Sequence, residues 1–206
     1  HSCPAPSNTR ISAEIRVFDG AGHEWRARLA QVSRAGVTAD LVAPVTPAVE
    51  AAVSVVLAVG LLKGDQMNAV VRDATALGAI AVAPFISAHV DVPDRAWRRS
   101  DRASRAGDSS DRGLSRWDRV AVAAAKQCGR AVVPEVLPAV SLETFLRVPV
   151  PPGTTTVMLV EPSAGHGDAR PVWSLPTALP VTLRLVVGPE GGWDVDEQSG
   201  EAAAPV

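Results

Sequence analysis

The feature that most constrains this chain is a series of short, continuous apolar runs separated by helical or polar stretches. Ser54-Val55-Val56-Leu57-Ala58-Val59 shows no polar alternation, as expected of a strand covered on both faces. Ile80 to Phe85, Thr156 to Val160 and Val181 to Val187 read as further strands. After the first run, Asp65 is placed to cap a helix reaching Leu77. That helix carries Met67, Val70, Val71, Ala74 and Leu77 on one face and Gly78 as its stop. Leu114 to Gly129 makes a second amphipathic helix. Strands alternating with helices imply a largely parallel α/β sheet.

Residues 14–43 follow a different period. Glu14-Ile15-Arg16-Val17-Phe18 alternates polar and apolar, Asp19-Gly20-Ala21-Gly22 is a turn, and Trp25 to Val32 alternates again. Val37 to Val42 offers a third strand. Three short strands do not make an independent core, so this unit is either incomplete or packs on its neighbour. Pro44 to Glu50 reads as a linker. The expected division is a partial β domain over 1–46 and an α/β domain over 50–206.

Bulk composition narrows the partners. The formal net charge of −2 provides no basic field, so an RNA would have to be met by a local patch. Residues 94–113 are rich in Arg, Asp, Ser and Gly without an apolar period. They read either as a solvated loop or as an arginine-bearing arm for phosphates, and the interleaved aspartates weaken the second reading. Cys3 and Cys128 stand alone, which speaks against a disulfide framework or a zinc site and makes a reducing cytoplasm the default. No metal is expected. The run from Val53 to Leu62 is too short for a bilayer and is broken by Gly60, so no membrane role is expected. His1-Ser2-Cys3-Pro4 lacks both a secretory layout and an initiator Met, consistent with a sequence that begins partway into a protein.

The segment richest in chemistry is Leu185-Val186-Val187-Gly188-Pro189-Glu190-Gly191-Gly192-Trp193. An apolar strand runs into a loop of three glycines, a proline and a carboxylate, followed by Asp194, which can cap a helix. Glycines let a ligand approach the backbone, and Pro189 stiffens the bend. The carboxyl end of a strand is where open α/β sheets hold ligands, although a glycine-proline turn after a strand is often only a turn. No Lys-Ser/Thr follows, so this is not a Walker loop.

Two further segments stand in fixed order with it. Lys63-Gly64-Asp65-Gln66-Met67 opens the first helix, and Asp73-Ala74-Thr75-Ala76-Leu77-Gly78 closes it. Arg116-Trp117, Ala123 to Arg130 and Val133-Pro134-Glu135 mark the second helix and its exit. Singly these are a capped helix and a core helix with a C-cap glycine. Together, from Val17-Phe18-Asp19-Gly20 to the Gly188–Gly192 loop, they resemble the ribosomal RNA small subunit methyltransferase E family of the SPOUT superfamily.

That resemblance implies a PUA-like RNA-binding barrel followed by a trefoil-knot α/β domain that binds S-adenosyl-L-methionine. It further implies a homodimer that methylates N3 of a uridine in 16S rRNA or the small ribosomal subunit. It assigns Val160, Glu161, Val187, Gly188, Pro189, Glu190, Gly191 and Gly192 to the cofactor pocket. Lys63, Arg116, Gln127 and Arg130 become candidates for substrate contact or for shaping the site. Arg130 and Glu190 are the catalytic candidates, with a loop-stabilising role as the alternative for Glu190. Departures are visible too. Asp73 and Ala76 stand where the family more often has Lys and Glu, and Gln66 replaces a common basic residue. The barrel's first strands and the second, arginine- and threonine-containing loop have no match here. The chain therefore reads as truncated at both ends, which leaves open whether the knot closes.

An activated sulfonium needs no protein nucleophile, which agrees with the lack of a Ser/His/Asp or Cys/His set. The protein must instead align the reactants and stabilise charge on the pyrimidine oxygens. His23 and His89 are the alternatives for a base, each also readable as structural or solvent-exposed. Competing readings are a SPOUT methyltransferase with another RNA target, a non-catalytic RNA-binding remnant, and a nucleotide-phosphate enzyme using the glycine loop.

Overall fold

A computed structural model describes residues 13–33, 36–90, 115–161, 181–194 and 197 of the chain. The Arg- and Asp-rich stretch 94–113, Cys3 and the C-terminal residues from 198 lie outside them. The chain divides into two compact units, one of residues 1–49 with 129–133, the other of 50–128 with 134–206.

The first unit holds an antiparallel sheet of β1 (Glu14–Phe18), β2 (Glu24–Ser33) and β3 (Gly36–Val45). β3 therefore runs through Pro44 and Val45, which the sequence assigned to a linker. Asp19 makes the tight β1–β2 turn by accepting the Ala21 and His23 N–H groups at 2.8 and 3.1 Å. Residues 129–133 join this unit: the Val133 N–H donates to the Gly20 carbonyl and the Gly22 N–H to that of Ala131.

The second unit is built on β4 (Ser54–Gly60), β5 (Ala81–Ile86), β6 (Glu135–Val136), β7 (Val140–Ser141), β8 (Thr154–Leu159) and β9 (Thr182–Val187). Its sheet runs β6-β5-β4-β9-β8 with β7 also on β5, and every pairing is parallel. Alternate residues are buried to both sides: Ala58, Ala83, Phe85 and Val186 on one face, Val59 and Val82 on the other. The first set packs with Leu142 and Phe145 of a short helix, α3 (Leu142–Arg147), and with Trp193 of the glycine loop.

Helix α1 (Gln66–Ala76) buries Met67, Val71, Ala74 and Thr75 and packs on α2 (Arg116–Cys128). Its end is a Schellman turn, with Gly78 N–H to the Thr75 carbonyl and Ala79 N–H to that of Ala74. Gly78 takes φ +97°. Leu77, expected on the buried face, is 86% exposed. It lies roughly 100° around the helix from the centre of the buried set. Asp65 occupies the N-cap position but makes no side-chain cap bond. Its carboxylate instead receives the Arg116 guanidinium and the Asn68 amide. α2 has a reciprocal cap, Asp118 N–H to Ser115 Oγ and Ser115 N–H to Asp118 Oδ2.

Candidate functional site

Parallel register places the carboxyl ends of β4, β9 and β8 side by side, with Val59 and Leu159 both opposite Val187. The chain leaves β9 directly into Gly188–Trp193, so this loop sits on the carboxyl edge of the sheet, where open α/β folds hold their ligands.

Close approaches shape the loop. A Cβ on Gly60 would stand 2.6 Å from the Pro189 nitrogen. A Cβ on Gly188 would be 2.8 Å from the Trp193 indole, and one on Gly191 would be 2.9 Å from His89 Cβ. Glycine is required at each for want of space, and at Gly192 by a φ of +77°. Trp193 is pinned at both ends: its indole N–H donates to the Leu159 carbonyl at 2.8 Å, and its ring stacks on Phe85 with centroids 5.8 Å apart. Glu197 ties the loop's exit to the end of β5, accepting the Ala88 N–H at 2.9 Å and the Asp194 N–H at 3.1 Å. The second of these is the backward half of a capping box.

Two cavities flank Pro189. The first, of about 320 Å³, is lined by Leu159, Val160, Glu161, Val187, Gly188, Pro189, Gly192 and Trp193. The second, of about 240 Å³, is lined by Leu61, Leu62, Lys63, His89, Pro189, Glu190 and Gly191.

The structure thus distributes the sequence candidates unevenly. Val160, Glu161, Val187, Gly188, Pro189 and Gly192 share the first cavity, whereas Glu190 and Gly191 face the second together with Lys63. Arg116 pairs with Asp65 and lines neither cavity, and Gln127 is exposed on α2. Arg130 is only 8% exposed and lies in the 129–133 segment of the first unit. Trp193, which lines the first cavity, was not assigned to a site from sequence, and His89, named there only as an alternative base beside His23, lines the second. An aromatic directly after a glycine loop, and a histidine just beyond a buried strand, were the available signals. Among the described residues, no group of three or more His, Cys, Asp or Glu side chains is arranged to hold a metal. No helix among them is long and apolar enough to cross a membrane.

An open parallel sheet carrying a glycine-walled cleft at its carboxyl edge defines an α/β ligand-binding domain. The chain belongs to the RNA methyltransferase domain family, whose pattern matches residues 49–203. It is 29% identical over 183 residues to ribosomal RNA small subunit methyltransferase E of Synechocystis, covering 89% of this chain and 54% of that one. The Bacillus subtilis protein of the same name is 28% identical over 83% of this chain and 63% of its own length. The chain therefore spans between about half and two thirds of these relatives. Among solved structures, the Neisseria gonorrhoeae methyltransferase E bound to S-adenosyl methionine superimposes with a TM-score of 0.76. That match has 25% identity over 95% of this chain and 72% of that one. A putative methyltransferase from Legionella pneumophila in complex with the same cofactor shares the fold, with a TM-score of 0.73 at 21% identity.

Proposed function

We propose that this chain carries the methyl-transferring domain of an S-adenosylmethionine-dependent enzyme that methylates N3 of a uridine in 16S rRNA. The observation that supports it most is the first cavity, whose walls combine strand ends and glycine backbone with a few apolar side chains. Its residues fit the cofactor: Leu159, Val160, Val187 and Trp193 offer apolar surface for an adenine ring. Backbone groups around Gly188 and Gly192 can approach the ligand closely, and Glu161 can accept from ribose hydroxyls. Bound there, the cofactor supplies an activated methyl group, and the protein's part is alignment and charge stabilisation.

The same reading makes the N-terminal sheet part of a PUA-like RNA-binding unit, gives the α/β unit a SPOUT trefoil knot, and makes the working form a homodimer. Lys63, Arg116, Gln127 and Arg130 are its RNA-side candidates. The test is titration calorimetry with S-adenosylmethionine, followed by mass mapping of 16S rRNA after incubation with both. Donor binding and a methyl group on uridine N3 are expected. RNA binding without donor heat would make the chain a non-catalytic RNA-binding remnant, and a methyl group on another base would redirect the substrate.

A further inference from the structure

We propose that the second cavity receives the pyrimidine ring of the target nucleotide and that His89 takes the proton from its ring N–H during methyl transfer. The assignment rests on the placement of the methyl donor in the first cavity, and it supplies the proton acceptor that placement lacks.

Position is the first argument. Pro189 belongs to the walls of both cavities, is buried, and is backed by Gly60. A donor in one cavity and an acceptor base in the other therefore share the Pro189 wall. Methyl transfer needs that adjacency, because the reacting atoms must come within about 3–3.5 Å and in line. Size agrees: about 240 Å³ falls below the roughly 300–1,000 Å³ of pockets for drug-sized ligands and suits a single ring.

The lining is the second argument. Leu61 and Leu62 provide an apolar wall, and Lys63, His89 and Glu190 provide polar groups. Among the described residues, His89 is the only imidazole lining either cavity. Its Nε2 lies 3.9 Å from Asp194 Oδ2. Glu197 holds both partners through the backbone, one carboxylate oxygen on the N–H of Ala88 and the other on that of Asp194. Gly191 presses on the His89 main chain, where an added Cβ would be 3.0 Å from its carbonyl oxygen. Among the described residues, the charged groups around the imidazole are Lys63 and Glu190 across the cavity, with Asp194 and Glu197 from the loop exit.

The chemistry balances. The N3–H bond breaks and its proton passes to the imidazole, while the electron pair left on N3 forms the N–CH3 bond. The donor's sulfur keeps the pair of the broken C–S bond and leaves as a thioether. Asp194 balances the imidazolium, and the Lys63 ammonium stabilises negative charge on the adjacent pyrimidine oxygen.

The test compares the wild-type chain with His89→Gln and Asp194→Asn on 16S rRNA, reading kcat against pH and donor affinity by calorimetry. His89→Gln should lower kcat about 10²–10⁴-fold at pH 7. Donor affinity should hold within about twofold, and the rate should climb with pH without the wild-type plateau as the uridine ionises by itself. Asp194→Asn should give a smaller fall in kcat of the same pH form. Undiminished turnover by H89Q beside an active wild type overturns this assignment alone, as does a parallel loss of donor binding. A wild-type chain that binds no donor and methylates nothing overturns the underlying reading and this one with it.

Discussion

Gly60 ends β4 against Pro189, so closely that a Cβ on Gly60 would stand 2.6 Å from the Pro189 nitrogen and 2.9 Å from its Cα. Both contacts are to backbone, which cannot swing aside as a flexible side chain would. Gly60→Ala should therefore displace the loop that lines both cavities. Overpacking of this kind costs about 1–3 kcal/mol. The expected outcome is a chain with unchanged circular dichroism, a lowered melting temperature and at least about tenfold weaker donor binding, the equivalent of about 1.4 kcal/mol. Wild-type affinity in Gly60→Ala would mean that the loop does not shape the donor site.

Trp193 links the core to the same loop through its stack on Phe85 and its bond to the Leu159 carbonyl. Trp193→Phe keeps an aromatic ring and loses only the hydrogen bond, for an expected loss of about 0.5–1.5 kcal/mol in urea unfolding. Trp193→Ala removes the ring that covers Gly188 as well, and the expected loss rises to about 3–5 kcal/mol. Equal losses from the two variants would show that the indole N–H, not the ring, anchors the loop.

The sequence carried the parts of this fold that have a period. β4, β5 and β9 were legible as apolar runs, displaced by a residue or two at their ends, because a strand covered on both faces leaves a continuous apolar signature. The edge strand β8 was legible from its apolar end at Val157–Leu159. The glycine loop was legible because close backbone approach admits no other residue. β6 and β7 were not, since two residues carry no alternation, and the six-residue α3 is too short to show a helical face. The return of residues 129–133 to Gly20 and Ala21 is a long-range pairing with no local mark. Asp65 misled in a different way. Its residue type and position announce a cap, but its carboxylate is taken by Arg116, some fifty residues on.

Arg184 lies buried in β9, donating to the Phe145 carbonyl at 2.9 Å with its guanidinium carbon 4.2 Å from the Phe145 ring centroid. Burial pushes its guanidinium below the usual arginine range. Arg184→Met keeps much of the apolar stem but leaves that carbonyl without its donor and removes the cation–π contact. Unfolding in urea should show a loss of about 1–3 kcal/mol. A neutral or stabilising result would show that desolvation of the guanidinium outweighs both contacts.

Asp19 gives a pH prediction. Its hydrogen bond with the His23 side chain, assisted by the Ala21 and His23 N–H groups, holds the carboxyl at about 2, below its ordinary 3.8. A folded-state value below the unfolded one means that the contribution is complete above the ordinary value. It is then lost as the pH falls through about 2. NMR titration should place the Asp19 midpoint near 2 in the wild type. His23→Ala should move it toward 3.8, the ordinary value. An unmoved midpoint would assign the effect to the two backbone donors.

Arg116 and Asp65 form an ion pair between the starts of α2 and α1, with side chains 61% and 84% exposed. Exposed pairs are worth about 0.2–1 kcal/mol. A double-mutant cycle with Arg116→Ala and Asp65→Ala should therefore return a coupling within that range and falling with salt. If Arg116 also meets RNA phosphate, Arg116→Ala should weaken RNA binding and lower the slope of log affinity against log salt by about one. Asp65→Ala should do the opposite, since it frees the guanidinium for phosphate and removes a carboxylate from the surface. The two variants thus move RNA affinity apart while moving stability together. Equal RNA affinities for both would confine Arg116 to joining the two helices and remove it from the RNA surface.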